Sequence, residues 1–240
     1  MEINRLSSPN ITKNKKLRKS IKFIVIHYTG MQSKRASIAR LMSSTHKVSC
    51  HYLIDRRGQV IQMVHDKDIS WHAGQSKWKN YNNLNKNSMG IELVNKGHRL
   101  GYENFTKKQI NSLIKLCIIL KKKYKIKNSC ILGHSDIAPF RKLDPGEKFP
   151  WYTLKKKGIG VWYPKITKQS TQLSKKEDRK LFFNNLYKIG YRYFNKSKKS
   201  KNDKKIIKAF QRRFLQNKID GKIDNKTLRI SHFLAKQAKN

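Results

Sequence analysis

Residues 21–28 read IKFIVIHY, a run in which only Lys22 and His27 are neither apolar nor aromatic. An unbroken series of β-branched and aromatic residues is typical of a strand buried at the centre of a sheet. Functional side chains of α/β sheets cluster at the carboxyl ends of central strands. His27, near the end of this run, is therefore a candidate ligand, although a structural hydrogen-bonding role is equally compatible with the pattern.

Other secondary-structure signals surround this strand. Helical periodicity covers residues 34–44 and 106–124, and Thr106 is a candidate cap for the second helix. Four further segments are predicted strands: residues 51–55, 59–64, 88–95 and 129–133. The first two form a predicted hairpin with Gly58 in its turn. The mixture predicts an α/β fold with a mixed central sheet flanked by helices, in a domain spanning residues 8–164.

The end of the chain has a different pattern. Residues 165–175 (KITKQSTQLSK) are polar and predict a linker. Three amphipathic segments follow, with Gly190 and the pair Asp220-Gly221 between them, and predict a small all-α three-helix domain over residues 176–240. The three segments are residues 177–189, 203–214 and 225–238.

The composition is strongly basic. The formal net charge is +42, from 56 Lys and Arg residues against 14 Asp and Glu residues. Such a charge predicts attraction to a polyanion, whether nucleic acid, an acidic membrane surface or an acidic cell-wall polymer. A bias of an AT-rich genome towards Lys, Asn and Ile would produce the same surface without any such partner.

The remaining bulk features concern the compartment. Cys50, Cys117 and Cys130 lack CxxC spacing and fit a reducing environment. No run approaches the roughly 20 apolar residues of a membrane span, and the N-terminus lacks the apolar centre of a signal peptide. We therefore expect no transmembrane segment and a cytoplasmic location, with a periplasmic or wall-associated location as the alternative.

A second candidate site region is GHSDIAPFRKLDPGEKFPW, residues 133–151. His134 follows a short predicted strand, as His27 follows the central one, and Asp144 lies ten positions further on. Two strand-end imidazoles and a carboxylate, without an evident fourth protein ligand, form the pattern of a catalytic zinc site that leaves one position open to water.

Two further residues could complete such a site. Glu92 lies within an apolar strand, where a carboxylate is costly unless it is paired or functional, and it could act as a base. An edge strand with Glu92 facing solvent would explain the same pattern. Lys142, two residues before Asp144, could stabilise a developing oxyanion.

Together these residues resemble the type 2 N-acetylmuramoyl-L-alanine amidases, whose fold is shared with the peptidoglycan recognition proteins. The resemblance covers about residues 8 to 164. Its motifs are VIHYT (25–29), HYLID (51–55), WHAG (71–74), GIE (90–92), GHSDIAP (133–139), RKLDPG (141–146) and FPW (149–151).

The resemblance implies a zinc enzyme. Its zinc ligands would be His27, His134 and Asp144, its catalytic acid would be Glu92, and Lys142 would stabilise the transition state. The family cleaves the amide between the lactyl group of N-acetylmuramic acid and the L-alanine of the stem peptide. The substrate implied is peptidoglycan or a muropeptide.

The resemblance also bears on other residues. Trp71, His72 and Arg141 are predicted to contact the substrate, while His51 is predicted to be structural or to support a ligand. Asp136 is predicted to be a turn or supporting residue because Asp144 takes the ligand position. Histidines outside the motifs are predicted to be surface residues: His46, His65, His98 and His232.

The C-terminal segments resemble a peptidoglycan-binding three-helix domain, through LYKIGY (186–191), AFQRRF (209–214) and DGKIDNKT (220–227). A generic helical bundle is the alternative. Two other functions remain open: a peptidoglycan receptor without catalysis and, from the charge alone, a basic nucleic-acid-binding protein. The ordered motifs favour the enzyme, and we expect no nucleic-acid partner.

Overall fold

The strand at residues 21–28 lies inside a mixed sheet, as predicted. The computed structural model describes residues 1–13, 21–164 and 175–238. Its strands are β1 (Ile3–Arg5), β2 (Ile11–Thr12), β3 (Phe23–Tyr28), β4 (Tyr52–Ile54), β5 (Val60–Gln62), β6 (Ile69–Ser70), β7 (Lys77–Trp78), β8 (Tyr81–Asn82), β9 (Ser88–Leu93) and β10 (Ile131–Gly133). The main sheet has the order β1-β5-β4-β9-β3-β10, and only β4 and β5 pair antiparallel.

The predicted hairpin is confirmed at β4 and β5. Its turn is fixed by Asp55, whose Oδ1 accepts hydrogen bonds from the backbone N–H groups of Arg57 and Gln59, both at 2.9 Å. Gly58 has a φ of +86° in this turn, a conformation that favours glycine. The sheet also extends to β1, which begins before residue 8, the predicted start of the domain.

The predicted long helices are also present. The helices are α1 (Lys34–Met42), α2 (Lys107–Tyr124), α3 (His134–Ile137), α4 (Trp151–Lys156), α5 (Lys175–Ile189), α6 (Asp203–Phe214) and α7 (Asn225–Gln237). Thr106 caps α2 as predicted, because its hydroxyl accepts a hydrogen bond from the Gln109 N–H at 3.1 Å. Within the described ranges, none of these helices is both long and apolar enough to cross a bilayer.

Strand alternation divides the sheet into two faces. Side chains of β3 at even positions, Ile24 and Ile26, join the core packed against α2. Those at odd positions, Phe23 and Val25, join a second core on the opposite face. His27 continues the odd series, so the second face carries it at its edge.

The C-terminal helices pack on this second face. Phe182 and Phe183 of α5 and Phe210 of α6 belong to the same apolar cluster as Phe23 and Val25. Helices α5–α7 (the C-terminal unit) therefore form a layer of the α/β fold against the sheet. The predicted linker, residues 165–175, lies outside the described residues except for Lys175, the first residue of α5.

Candidate active site

Backbone pairing brings the predicted site residues together. His27 of β3 and Glu92 of β9 are directly paired in the parallel ladder, at the carboxyl ends of both strands. His134 is the first residue of α3, immediately after β10, the other neighbour of β3. Asp144 lies in the following loop, where its carbonyl accepts a hydrogen bond from the Ser135 N–H at 2.9 Å. The carboxyl ends of the central strands thus bring together residues that are distant in sequence.

The donor atoms of His27, His134 and Asp144 converge on one point. The two Nδ1 atoms lie 2.9 Å apart, and Asp144 Oδ2 lies 2.9 Å from His27 Nδ1 and 3.0 Å from His134 Nδ1. All three side chains are buried. These residues could hold a metal ion, and within the described part of the chain no other cluster of His, Cys, Asp and Glu has this geometry.

The hydrogen bonds of His134 fix its tautomer. Its Nε2 lies 3.1 Å from the carbonyl oxygen of Ala73, which can only accept, so Nε2 carries the proton. His134 Nδ1 is therefore left with a lone pair directed at the point shared with Asp144.

A longer chain fixes the tautomer of His27. The Ser88 hydroxyl donates to the Leu84 carbonyl at 2.5 Å and so accepts from His72 Nε2 at 3.1 Å. With its proton on Nε2, His72 accepts at Nδ1 from His27 Nε2, at 3.0 Å. His27 Nδ1 also bears a lone pair facing Asp144, which is the arrangement that metal-binding histidines adopt.

The protonation states of His27 and Asp144 favour the binding of a cation. Burial, followed by the proximity of His134, lowers the pKa of His27 to about 4, so this imidazole is neutral at pH 7. Burial raises the pKa of Asp144, but its close contacts with the imidazoles of His134 and His27 outweigh burial and lower that pKa below its usual range. One nitrogen from each of two imidazoles and one carboxylate oxygen are a donor set that fits zinc in catalytic sites.

Glu92 is buried beside this cluster. Its strand β9 lies between β4 and β3, so the edge-strand alternative is wrong. Burial, and then repulsion from Asp144, raises the pKa of Glu92 to about 8, while Lys142 opposes the shift. The atom Oε2 is inaccessible and has no hydrogen-bond partner among the residues described. A buried acid whose pKa lies near neutrality, beside a possible metal site, is a candidate for proton transfer during catalysis.

Lys142 is half-buried on the loop between His134 and Asp144. Its charge is near enough to oppose the rise in the pKa of Glu92 and to contribute to the lowered pKa of His27. The loop therefore brings a cation to the same side of the sheet as the carboxyl group and the imidazoles.

Comparison with known proteins identifies the family of the chain. The sequence profile of the N-acetylmuramoyl-L-alanine amidases matches residues 17–147. The chain is 32% identical to N-acetylmuramoyl-L-alanine amidase AmiD of Escherichia coli over 231 residues, which are 89% of this chain and 82% of AmiD. The chain belongs to the N-acetylmuramoyl-L-alanine amidase family.

Other relatives match over different lengths. The 1,6-anhydro-N-acetylmuramyl-L-alanine amidase AmpD of Haemophilus influenzae is 41% identical over 106 residues, 44% of this amidase and 55% of AmpD. The structure of AmiD, in complex with anhydro-N-acetylmuramic acid-L-Ala-D-gamma-Glu-L-Lys, superposes with a TM-score of 0.80 at 30% identity. That match covers 94% of this amidase and 92% of AmiD. AmpDh3 of Pseudomonas aeruginosa gives 0.78 at 27% identity, covering 95% and 96%.

The residues predicted to contact substrate lie near the cluster in different settings. Trp71 is partly exposed, and its Nε1 donates to the Thr12 hydroxyl at 2.9 Å. Arg141 donates to the carbonyls of Ala73 and Gln75, at 2.6 and 2.9 Å, so its guanidinium holds the WHAG loop. His72 is buried behind His27. Contact of these three residues with substrate stays a prediction.

Two other histidines are integrated into the same region. His51 Nδ1 accepts the Gly90 N–H at 3.0 Å, in agreement with the predicted structural role. His98, predicted to be a surface residue, is partly exposed, and its ring nitrogens lie 2.8 Å from the Tyr28 hydroxyl and 3.1 Å from Glu147 Oε2. The sequence around His98 forms no motif, and its neighbours Tyr28 and Glu147 are distant in sequence, so these contacts could not be predicted.

Proposed function

We propose that the protein is a zinc-dependent amidase in which His27, His134 and Asp144 hold the metal. Membership of the family makes it an N-acetylmuramoyl-L-alanine amidase, a hydrolase of the amide between N-acetylmuramic acid and L-alanine. The observation that carries the metal assignment is the convergence of two Nδ1 lone pairs and a carboxylate oxygen within 3.0 Å. When bound, zinc would acidify a water molecule and polarise the scissile carbonyl.

Glu92 would carry the proton in this reaction. It accepts a proton from the attacking water as the water oxygen bonds to the carbonyl carbon. Glu92 then gives that proton to the alanine nitrogen as the C–N bond breaks, leaving a carboxylic acid and a free amine. A carboxyl group with a pKa of about 8 in the metal-free site would be ionised more readily beside a bound cation, which suits this double role.

Lys142 would stabilise the negative charge that develops on the carbonyl oxygen. Support for this role is the position of Lys142 on the loop between His134 and Asp144, where its positive charge opposes the rise in the pKa of Glu92.

The substrate class follows from the relatives. AmiD has been captured with an anhydro-muropeptide, and AmpD proteins are named for the same anhydro sugar. We therefore propose that this amidase accepts soluble anhydro-muropeptides as well as peptidoglycan. Trp71, His72 and Arg141 remain its proposed contacts, and residues 176–240 remain a proposed peptidoglycan-binding region.

The experiment is release of L-alanine-headed peptide from a purified muropeptide. We expect release by the wild type, loss with a chelator and recovery with zinc. Glu92→Gln should retain zinc yet lose about 10²- to 10⁴-fold in turnover, the range typical of a proton-transfer residue. Glu103→Gln, at a carboxyl group paired with Arg56 outside the site, is the matched control and should keep its activity.

Two results would overturn these assignments. Unchanged turnover by zinc-loaded Glu92→Gln would remove Glu92 from the mechanism. Binding of muropeptide without release by the zinc-loaded wild type would instead favour the non-catalytic receptor.

For location we propose the cytoplasm, with the periplasm or wall as the alternative. The support is that Cys50, Cys117 and Cys130 are all free thiols, as a reducing compartment would keep them. Cell fractionation with the activity measured in each fraction tests this proposal.

A further inference from the structure

Asp136 is a buried carboxylate in the short helix that begins with His134. Its Oδ2 accepts the backbone N–H of Gly133, the residue before His134, at 2.8 Å. Helix α3 has only four residues, too few to be stable by its own hydrogen bonds. The orientation of His134 therefore depends on what holds Asp136.

The C-terminal unit supplies the remaining partners of Asp136. The Tyr191 hydroxyl donates to Asp136 Oδ1 at 2.6 Å. Arg213 of α6 forms an ion pair with Asp136 Oδ2 and also donates to the Ile131 carbonyl of β10 at 2.9 Å. The Arg213 and Asp136 side chains are only 3% and 1% exposed, so each charge depends on the other.

Residues at the end of α6 and just after it also contact the segment that follows Asp144. Arg212 lies 3.7 Å from Glu147 Oε2. The Gln216 side chain donates to the Phe149 carbonyl at 2.7 Å. Asp144, the predicted third ligand, lies between the two anchored segments.

We propose that the C-terminal unit positions the metal ligands, through a clasp formed by Tyr191, Arg212, Arg213 and Gln216. This clasp fixes α3 at one end of the loop and residues 147–149 at the other. The Ser135–Asp144 backbone hydrogen bond then links the residue after His134 to Asp144 itself. The clasp residues touch neither ligand, so they are positioning residues that act through Asp136 and the loop.

A positioning role predicts an effect on metal affinity that purely structural contacts would not have. Groups that orient metal ligands typically change affinity by about 10- to 100-fold when they are removed. The clasp acts one step further away than such groups. We therefore expect Arg213→Met to raise the zinc dissociation constant by about tenfold, and Arg213→Lys to recover part of that loss.

Tyr191→Phe is the gentler variant. It deletes one hydroxyl from a fully buried ring and leaves the packing volume nearly unchanged, so the protein should fold even if Arg213→Met does not. We expect its zinc dissociation constant to rise about threefold. The measurement is competition between the full-length protein and a chromophoric chelator, well below the midpoint of thermal unfolding.

The matched control is Arg179→Gln. Arg179 also pairs with a buried carboxylate, Asp203, at 2.8 Å, but this pair lies wholly within the C-terminal unit. Arg179→Gln should lower the unfolding temperature and leave zinc affinity unchanged.

The inference rests on the proposed zinc site, and the same titration separates the two ideas. A wild type that fails to bind zinc would overturn the zinc proposal. A wild type that binds zinc, with folded Tyr191→Phe and Arg213 variants that bind equally well, would overturn the clasp. So would an equal loss of affinity in Arg179→Gln.

Discussion

Glu92 should make the metal-free protein less stable as the pH rises. Its pKa is about 8 in the folded protein and 4.5 as an ordinary value, so between these limits folding holds a proton that the unfolded chain releases. Glu92→Gln removes this cost. We expect its gain in unfolding free energy to be small near pH 5 and on the order of 5 kcal/mol above pH 8.

Urea unfolding of metal-free wild type and Glu92→Gln at three pH values measures this gain. A gain that is identical at low and high pH would contradict the raised pKa. Because Glu92→Gln should also be inactive, a stability increase in the same variant would show that the site carries a residue kept for function at a cost in stability.

His72 should control metal affinity through its tautomer. His72→Asn places an amide oxygen near the position of Nδ1, where it can accept the His27 N–H, whereas His72→Phe leaves that donor unpaired. We expect His72→Phe to raise the zinc dissociation constant by about 10- to 100-fold and His72→Asn by no more than about threefold. Chelator competition distinguishes them, and equal losses in both would show that only ring packing matters.

At the scale of elements, the positions of His27, Glu92 and His134 could be predicted because each one lies near the end of a strand or directly follows one. The run at 21–28 predicts a buried strand, and its alternation already separates His27 from Ile24 and Ile26. Glu92 in β9 and His134 after β10 obey the same parity, since Met89, Ile91 and Ile131 join the core against α2. The alternation in three separate sequence segments therefore places His27, Glu92 and His134 on the same face of the sheet.

Other elements had no comparable signal. Strands β1, β2, β6, β7 and β8 are two or three residues long and contain only one apolar or aromatic residue each, so no strand pattern is visible in them. The position of His72 depends on Gly90, because a Cβ at Gly90 would lie 2.4 Å from the His72 ring. This close packing between β9 and the loop that carries His72 belongs to the tertiary structure, and local sequence patterns do not predict it.

For the molecule as a whole, the C-terminal helices are better described as a layer of the fold than as an attachment to it. Their amphipathic pattern predicted three helices correctly, but amphipathicity does not identify the surface that an apolar face covers. That surface is the sheet face of Phe23 and Val25, and the Arg213–Asp136 pair joins residues 77 positions apart. This placement connects the fold of the C-terminal unit to the chemistry of the site.

The net charge of +42 should govern how the amidase reaches polymeric substrate. Stem peptides carry free carboxylates, so insoluble peptidoglycan presents many negative charges to the cationic surface, whereas one soluble muropeptide presents few. Salt shortens the range of this attraction, to about 10 Å at 0.1 M and 3 Å at 1 M. We therefore expect added potassium chloride to lower activity on peptidoglycan several-fold and activity on a soluble muropeptide by less than about twofold. The measurement is the initial rate on both substrates at matched ionic strengths, with zinc saturating. Because both substrates present the same bond to the same site, an equal salt response would mean that the charge acts on neither encounter nor retention, and that it reflects composition alone.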